Sequence, residues 1–160
     1  MGMDVYGLNP KKNTKMPEVI KEIPEGKDWY DSYTLLSKEE RNVYHAAKDK
    51  YYEDNPGIYF RNNVWYWRPL WAYVCKNVCS LTEEDQDHGH SNSGHQISEE
   101  KAITIAGVLY ALLEDGAVKE AEKVHNKAET AMEDPSYPFT EENVREFAIF
   151  CEESGGFEIC

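Results

Sequence analysis

The chain has 160 residues, a formal net charge of −13 and a 12% share of aromatic residues, which favours a folded core over disorder. Its acidity disfavours direct nucleic-acid binding, because phosphates would be repelled. No apolar run approaches the roughly 18 residues that a membrane-spanning helix needs, so no membrane partner is expected. The length suits a single domain, residues 1–160.

The amino-terminal sequence MGMDVYGLNP lacks the basic region and long apolar stretch of a signal peptide. Without an export signal, the cysteines are expected to be reduced thiols, and three of them fit as small buried hydrophobic residues. These three are Cys75, Cys79 and Cys151. We therefore predict a cytoplasmic protein.

Both chain ends carry the alternating pattern of a short strand. Met3 and Val5 alternate with polar residues at the start, and residues 157–160 alternate in the same way at the end. A lone strand would leave its amides unpaired, so we expect residues 2–6 and 156–160 to pair with each other.

Apolar residues at helical spacing predict four to five helices between these strands. Three helices begin at caps whose hydroxyl can accept a bond from a free first-turn amide: Ser37, Ser98 and Thr140. Two more are expected over about 60–79 and 117–132. The fold class is therefore mainly α (α+β), with four to five helices and a small sheet formed by the N- and C-terminal strands.

The sequence also predicts the local structure of four further segments. Pro69 lies inside the apolar stripe of residues 60–79 and predicts either a kink or a new helix start. Residues 11–36 are expected to be loop with a short helix, and the polar residues 80–97 to be a long loop. The helix over 117–132 is expected to turn four residues inward: Ala121, Val124, Ala128 and Met132.

The charges are distributed unevenly. Residues 57–80 carry three basic and no acidic side chains, whereas residues 81–160 carry 19 of the 30 acids. Within the acid-free segment, Arg61, Trp65 and Arg68 follow helical steps of four and three and would share one face. Such a face, with the neighbouring amides of Asn62 and Asn63, can stack a planar ring and bind an anion. The structural alternative is that these arginines pair with acids elsewhere.

The polar loop supplies the second half of the predicted site. Its Gly, Ser and Asn residues tolerate turns that present amides to a ligand. We therefore predict a ligand-binding pocket where Arg61, Arg68 and their neighbours meet His90 and Asn92. Arg61 and Cys79 would lie roughly 27 Å apart on a straight helix, so the pocket requires the kink or a loop that folds back.

The same loop offers a possible metal site. The chain reads C-x3-C-x8-H-x-H-x4-H, and thiolate with imidazole suits zinc. The residues concerned are Cys75, Cys79, His88, His90 and His95. No standard zinc-finger spacing is matched, and the cysteines also fit a core. We expect no cofactor and keep zinc as the alternative.

Four stretches resemble a group of small phage and bacterial proteins for which no activity is established. They are MGMDVYG, YFRNNVWYWRPLW, GHSNSG and YPFTEENVREFAIFCEESGGFEIC. The resemblance implies a phage or prophage setting, with residues 14–56 as an insertion. It implies no reaction and no catalytic residue.

The sequence contains no strong catalytic motif beside its aromatic and arginine-rich segment. We predict a non-enzymatic binding protein that sequesters a small anionic ligand or binds a host protein in the host cytoplasm. One alternative is a small enzyme that acts on a nucleotide-like phosphate compound with a loop histidine as acid/base. Another is an acidic mimic of nucleic acid.

Overall fold

The computed structural model describes residues 2–21, 29–130 and 137–160. Met132, expected on an inward helix face, lies outside the described residues. The chain divides into two compact units, Lys12–Asn55 and a larger unit made of Met1–Lys11 with Pro56–Cys160. The smaller unit is close to the range expected as an insertion, and its origin as an insertion stays a prediction.

The smaller unit contains three helices: α1 (Glu18–Lys21), α2 (Trp29–Thr34) and α3 (Lys38–Asp54). The predicted cap of α3 is confirmed, because the Ser37 hydroxyl accepts the Glu40 amide while the Glu40 carboxylate accepts the Ser37 amide at 2.7 Å. This reciprocal pair satisfies two amides that the helix itself leaves free. Tyr44 and Tyr51 form the buried face of α3.

The larger unit contains a four-stranded antiparallel sheet with the strand order β2-β1-β4-β3. The strands are β1 (Gly2–Gly7), β2 (Tyr59–Asn63), β3 (His95–Ile97) and β4 (Phe157–Ile159). Val5 lies opposite Ile159, so the two chain ends pair as predicted. The inner face of the sheet is apolar because alternate residues of a strand point the same way.

The strand β2 replaces the start of the helix expected over 60–79. Phe60, Val64 and Trp67 have helical spacing in the sequence, yet Phe60 lies opposite Val5 in the sheet. A distant pairing partner therefore overrides the local period. As a consequence, Arg61 lies on a strand, and the predicted single helical face with Trp65 and Arg68 is wrong.

The larger unit has five helices: α4 (Val64–Asn77), α5 (Glu83–His88), α6 (Glu99–Glu114), α7 (Ala117–Thr130) and α8 (Glu141–Glu153). The predicted caps Ser98 and Thr140 are confirmed, and α4 continues through Pro69. The part of the chain that the structure describes thus holds eight helices, more than expected. The three short ones (α1, α2 and α5) are too brief to show an apolar period.

The expected loop over 80–97 is wrong, because it contains α5 and β3. The molecule is nevertheless mainly α with a small sheet, as predicted. Across residues 2–21, 29–130 and 137–160, no helix combines the length and apolar character that crossing a membrane requires.

The core of the larger unit forms where α4 and α8 meet the inner face of the sheet. Trp67 and Trp71 are fully buried and stack with ring centroids 5.5 Å apart, as expected of core residues. Phe147 packs edge-on against Trp67 and also contacts Phe60. Val124 and Ala128 depart from their predicted inward positions, since Val124 is 62% exposed and Ala128 is also exposed.

Candidate functional site

The segment after α5 folds back along α4. The indole nitrogen of Trp67 donates to the Gly89 carbonyl at 2.7 Å, and that of Trp71 donates to the Gln86 carbonyl at 3.0 Å. Gly89 fits this contact because it has no side chain, since an added β-carbon would lie 2.0 Å from the Trp71 ring. The loop between α5 and β3, residues 89–94, therefore lies beside the first turns of α4. This is the fold-back that the predicted pocket requires.

The loop also reaches the first strand. The Asn92 carboxamide donates to the Gly2 carbonyl at 3.1 Å. A β-carbon on Gly2 would lie 3.4 Å from Arg61 Nε, so Arg61 and Asn92 flank the same end of β1. Arg61 also lies near Asp4, with 3.6 Å between Nε and Oδ1.

Two of the predicted ligand-binding residues hold the fold instead. Asn62 is buried and donates to the side-chain oxygen of Asn143 on α8 at 2.8 Å. Asn63 caps α4, where its side-chain oxygen accepts the amides of Trp65 and Tyr66 at 3.0 Å each. The side-chain nitrogen of Asn62 and the side-chain oxygen of Asn63 are therefore occupied by protein partners.

A cationic–aromatic patch forms where Trp65, Arg68 and Tyr137 are in contact, and it includes His90, which lies within range of the Arg68 charge. Arg68 Nη1 donates to the Tyr137 hydroxyl at 2.8 Å, and the guanidinium carbon lies 5.8 Å from the centre of that ring. Trp65 meets the same ring edge-on at 5.1 Å and is 46% exposed. The sequence does not mark Tyr137 as a site residue, because it lies in a proline-containing break without a binding or catalytic motif.

His90 completes the patch electrostatically. Desolvation and the positive charge of Arg68 lower the pKa of His90, while Asp87 partly opposes the shift. Because the ordinary pKa of histidine is about 6.5, the ring is neutral at neutral pH. The patch therefore presents one fixed cation beside a neutral imidazole and two aromatic rings.

The end of the loop is anchored by a buried carboxylate. Asp85 accepts bonds from His95 Nε2 at 3.0 Å, from the Lys101 ammonium and from the Thr82 hydroxyl. Burial by itself would raise the pKa of Asp85, but the bonds from Lys101, Thr82 and His95 outweigh it and hold that pKa well below its usual range. His95 is thus engaged in a structural ion cluster.

The proposed zinc ligands do not gather into one site. Among the described residues, no three His, Cys, Asp or Glu side chains are grouped so that they could hold a metal ion. His88 lies against His95 with ring centroids 5.2 Å apart, and its Nδ1 is 3.4 Å from the Ser93 hydroxyl. Of the three cysteines expected to be buried, Cys151 is buried, Cys75 is half-buried and Cys79 is exposed.

The structure therefore divides the predicted site residues into three groups. Trp65, Arg68 and His90 come together in the patch with Tyr137, and Arg61 with Asn92 flanks the start of β1. The remaining two asparagines are structural. Comparison with protein-family models finds no match, and neither curated proteins nor solved structures give one.

Proposed function

We propose that this chain is a non-enzymatic protein of phage or prophage origin that binds a small anionic ligand in the host cytoplasm. The observation that carries the proposal is the setting of Arg68. Its guanidinium bonds a neutral hydroxyl, and none of the ion pairs found within the described ranges involves it. Because no described carboxylate pairs with it, this guanidinium is available to a ligand.

The chemistry of the patch suits an anion attached to a planar group. A guanidinium offers parallel N–H donors that match the oxygens of phosphate, sulfonate or carboxylate. The partly exposed indole of Trp65 provides a ring on which a planar group can stack. Tyr137 holds the guanidinium in place, which lowers the entropy cost of binding.

Thermal stabilisation by a panel of nucleotides and simple anions tests the proposal. Arg68→Gln is expected to weaken binding of the stabilising anion at least about tenfold, because a hydrogen bond to a charged group is lost. Arg145→Gln is the matched control, since it removes the same charge from an exposed pair on α8. Equal binding by both variants, or no stabilisation by any anion, would contradict the proposal.

A second candidate function is an enzyme that acts on a nucleotide-like phosphate compound. Its lowered pKa keeps His90 neutral, so the imidazole can accept a proton beside an anion-binding arginine. The same panel discriminates the two candidates when product formation is followed by chromatography. Turnover that disappears in His90→Gln but survives in His45→Gln supports the enzyme, whereas stoichiometric stabilisation without turnover supports the binding protein.

A further inference from the structure

An apolar groove of about 780 Å³ lies between α4 and α7 in the larger unit. Ala72 and Tyr73 line it from α4, Val124 and Ala128 line it from α7, and Phe139 contributes from the segment before α8. Its volume falls within the range of about 300–1,000 Å³ that is usual for small-ligand sites. The exposure of Val124 marks apolar surface that a ligand would remove from water.

The groove and the cationic–aromatic patch adjoin along α4. Trp65, Pro69, Ala72 and Lys76 follow each other at steps of four, three and four, so they share one face of α4. The last three line the groove, and the first belongs to the patch. On the other wall, the Tyr137 amide donates to Glu129 at 3.3 Å, next to Ala128.

The charges around the groove favour an anion at its patch end. Arg68 belongs to the patch through its bond to Tyr137, Lys76 lies in the groove lining, and neither forms an ion pair with any described residue. The groove-lining Glu120 is engaged, because Lys123 lies 3.4 Å from it. His125, also in the lining, lies 4.0 Å from Glu129. Of these groove and patch cations, Arg68 and Lys76 on α4 are therefore the two without a carboxylate partner among the described residues.

We infer that the ligand is an amphipathic anion, whose apolar body lies in the groove between α4 and α7 and whose negative head contacts Arg68. This inference rests on the proposed function and names its ligand class. A lone inorganic anion would use the patch and leave the apolar walls exposed. An uncharged apolar ligand would leave the guanidinium without a counter-charge.

Calorimetric titration with straight-chain alkylsulfonates, from ethanesulfonate to octanesulfonate, tests the inference on the full chain. These probes keep one negative charge at any accessible pH while the apolar body grows. Affinity is expected to rise about fourfold for each added methylene that enters the groove. Ala72→Trp fills the groove from an exposed position and is expected to abolish this rise while ethanesulfonate still binds.

Ala111→Trp is the matched control, because Ala111 is an exposed alanine on α6 outside the groove, and it should behave as the wild type. Binding that does not strengthen with chain length, or that strengthens equally in Ala72→Trp, would overturn the inference and leave the proposed function standing. Equal affinity for octylammonium would also overturn it, because the head would then not be selected by charge. Failure of every alkylsulfonate to bind would also overturn the inference, while the proposed function would still be decided by the panel of nucleotides and simple anions.

Discussion

At the scale of single residues, Gly89 decides where the site can form. Its backbone lies against the Trp71 ring, and its carbonyl accepts the Trp67 indole, so both core tryptophans position the loop. The loop in turn brings His90 within range of the Arg68 charge and places Asn92 against Gly2. The contact between Gly89 and Trp71 therefore links the hydrophobic core to the proposed ligand site.

Gly89→Ala is expected to lower the free energy of unfolding by about 2 kcal/mol, because the added methyl group overpacks the contact with the Trp71 ring. The matched control is Gly107→Ala within α6, where an added β-carbon meets no atom within 4 Å. That control is expected to be neutral or to stabilise by up to about 1 kcal/mol through helix propensity. Urea denaturation measures both values, and equal stabilities for the two variants would show that the tight contact is not formed.

At the scale of elements, the Asp85 cluster joins three pieces of the fold. Asp85 completes the cap of α5 through Thr82, and it also bonds His95 on β3 and Lys101 on α6. Only 4% of the Asp85 side chain is exposed, so removing its charge would leave its partners unpaired and lower the free energy of unfolding. This carboxylate therefore holds both ends of the segment that carries the loop.

Asp85→Asn is expected to cost about 3 kcal/mol of stability at neutral pH. The control Glu141→Gln removes a partly exposed partner of Arg145 and should cost no more than about 1 kcal/mol.

The stabilisation by Asp85 should also depend on pH. Because the pKa of Asp85 is lowered in the folded state, its contribution to the free energy of unfolding is complete above the unfolded pKa of about 3.9 and is lost as pH falls towards the folded pKa. The stability difference between wild type and Asp85→Asn should therefore shrink below about pH 4, as urea titrations at neutral and acidic pH would measure. A difference independent of pH would show that the carboxylate charge is not what stabilises the segment.

At the scale of the whole molecule, every residue of the proposed site belongs to the larger unit. The two pieces of chain that make up that unit, Met1–Lys11 and Pro56–Cys160, have their junctions with the smaller unit close to one residue, Glu153. The Lys11 amide donates to the Glu153 carbonyl at 2.8 Å, and a β-carbon on Gly57 would lie 2.2 Å from the same oxygen. A short linker can therefore join them.

We expect a chain in which a short Gly-Ser linker replaces residues 12–55 to fold and to keep its Arg68-dependent anion binding. The physical reason is that the sheet, the stacked tryptophans and the patch all lie in the part that remains. Circular dichroism and calorimetry check fold and binding, with Val5→Asp in the shortened chain as a control that should unfold, since Val5 is fully buried. A shortened chain that is unfolded would contradict the idea that Lys12–Asn55 is dispensable.

The features that could be predicted from the sequence are those that depend on neighbours along the chain. The caps Ser37, Ser98 and Thr140 were recognisable because each satisfies amides three residues away. The burial of Trp67 and Trp71 followed from helical spacing. The pairing of the terminal strands followed from the need to satisfy their backbone amides.

Tertiary structure decided the features that depend on distant partners. Residues 59–63 became a strand because β1 supplies their hydrogen bonds, which no local period encodes. Arg68 meets Tyr137, and Asn92 meets Gly2, across separations of 69 and 90 residues. By itself the sequence determined that arginine, tryptophan and a polar segment were available to form a ligand site. Which of these residues share one surface was decided only by the packing of the loop on α4 and of Tyr137 on Arg68. Side-chain contacts at such separations depend on the closure of the whole core, because helical and strand periods extend over only a few residues.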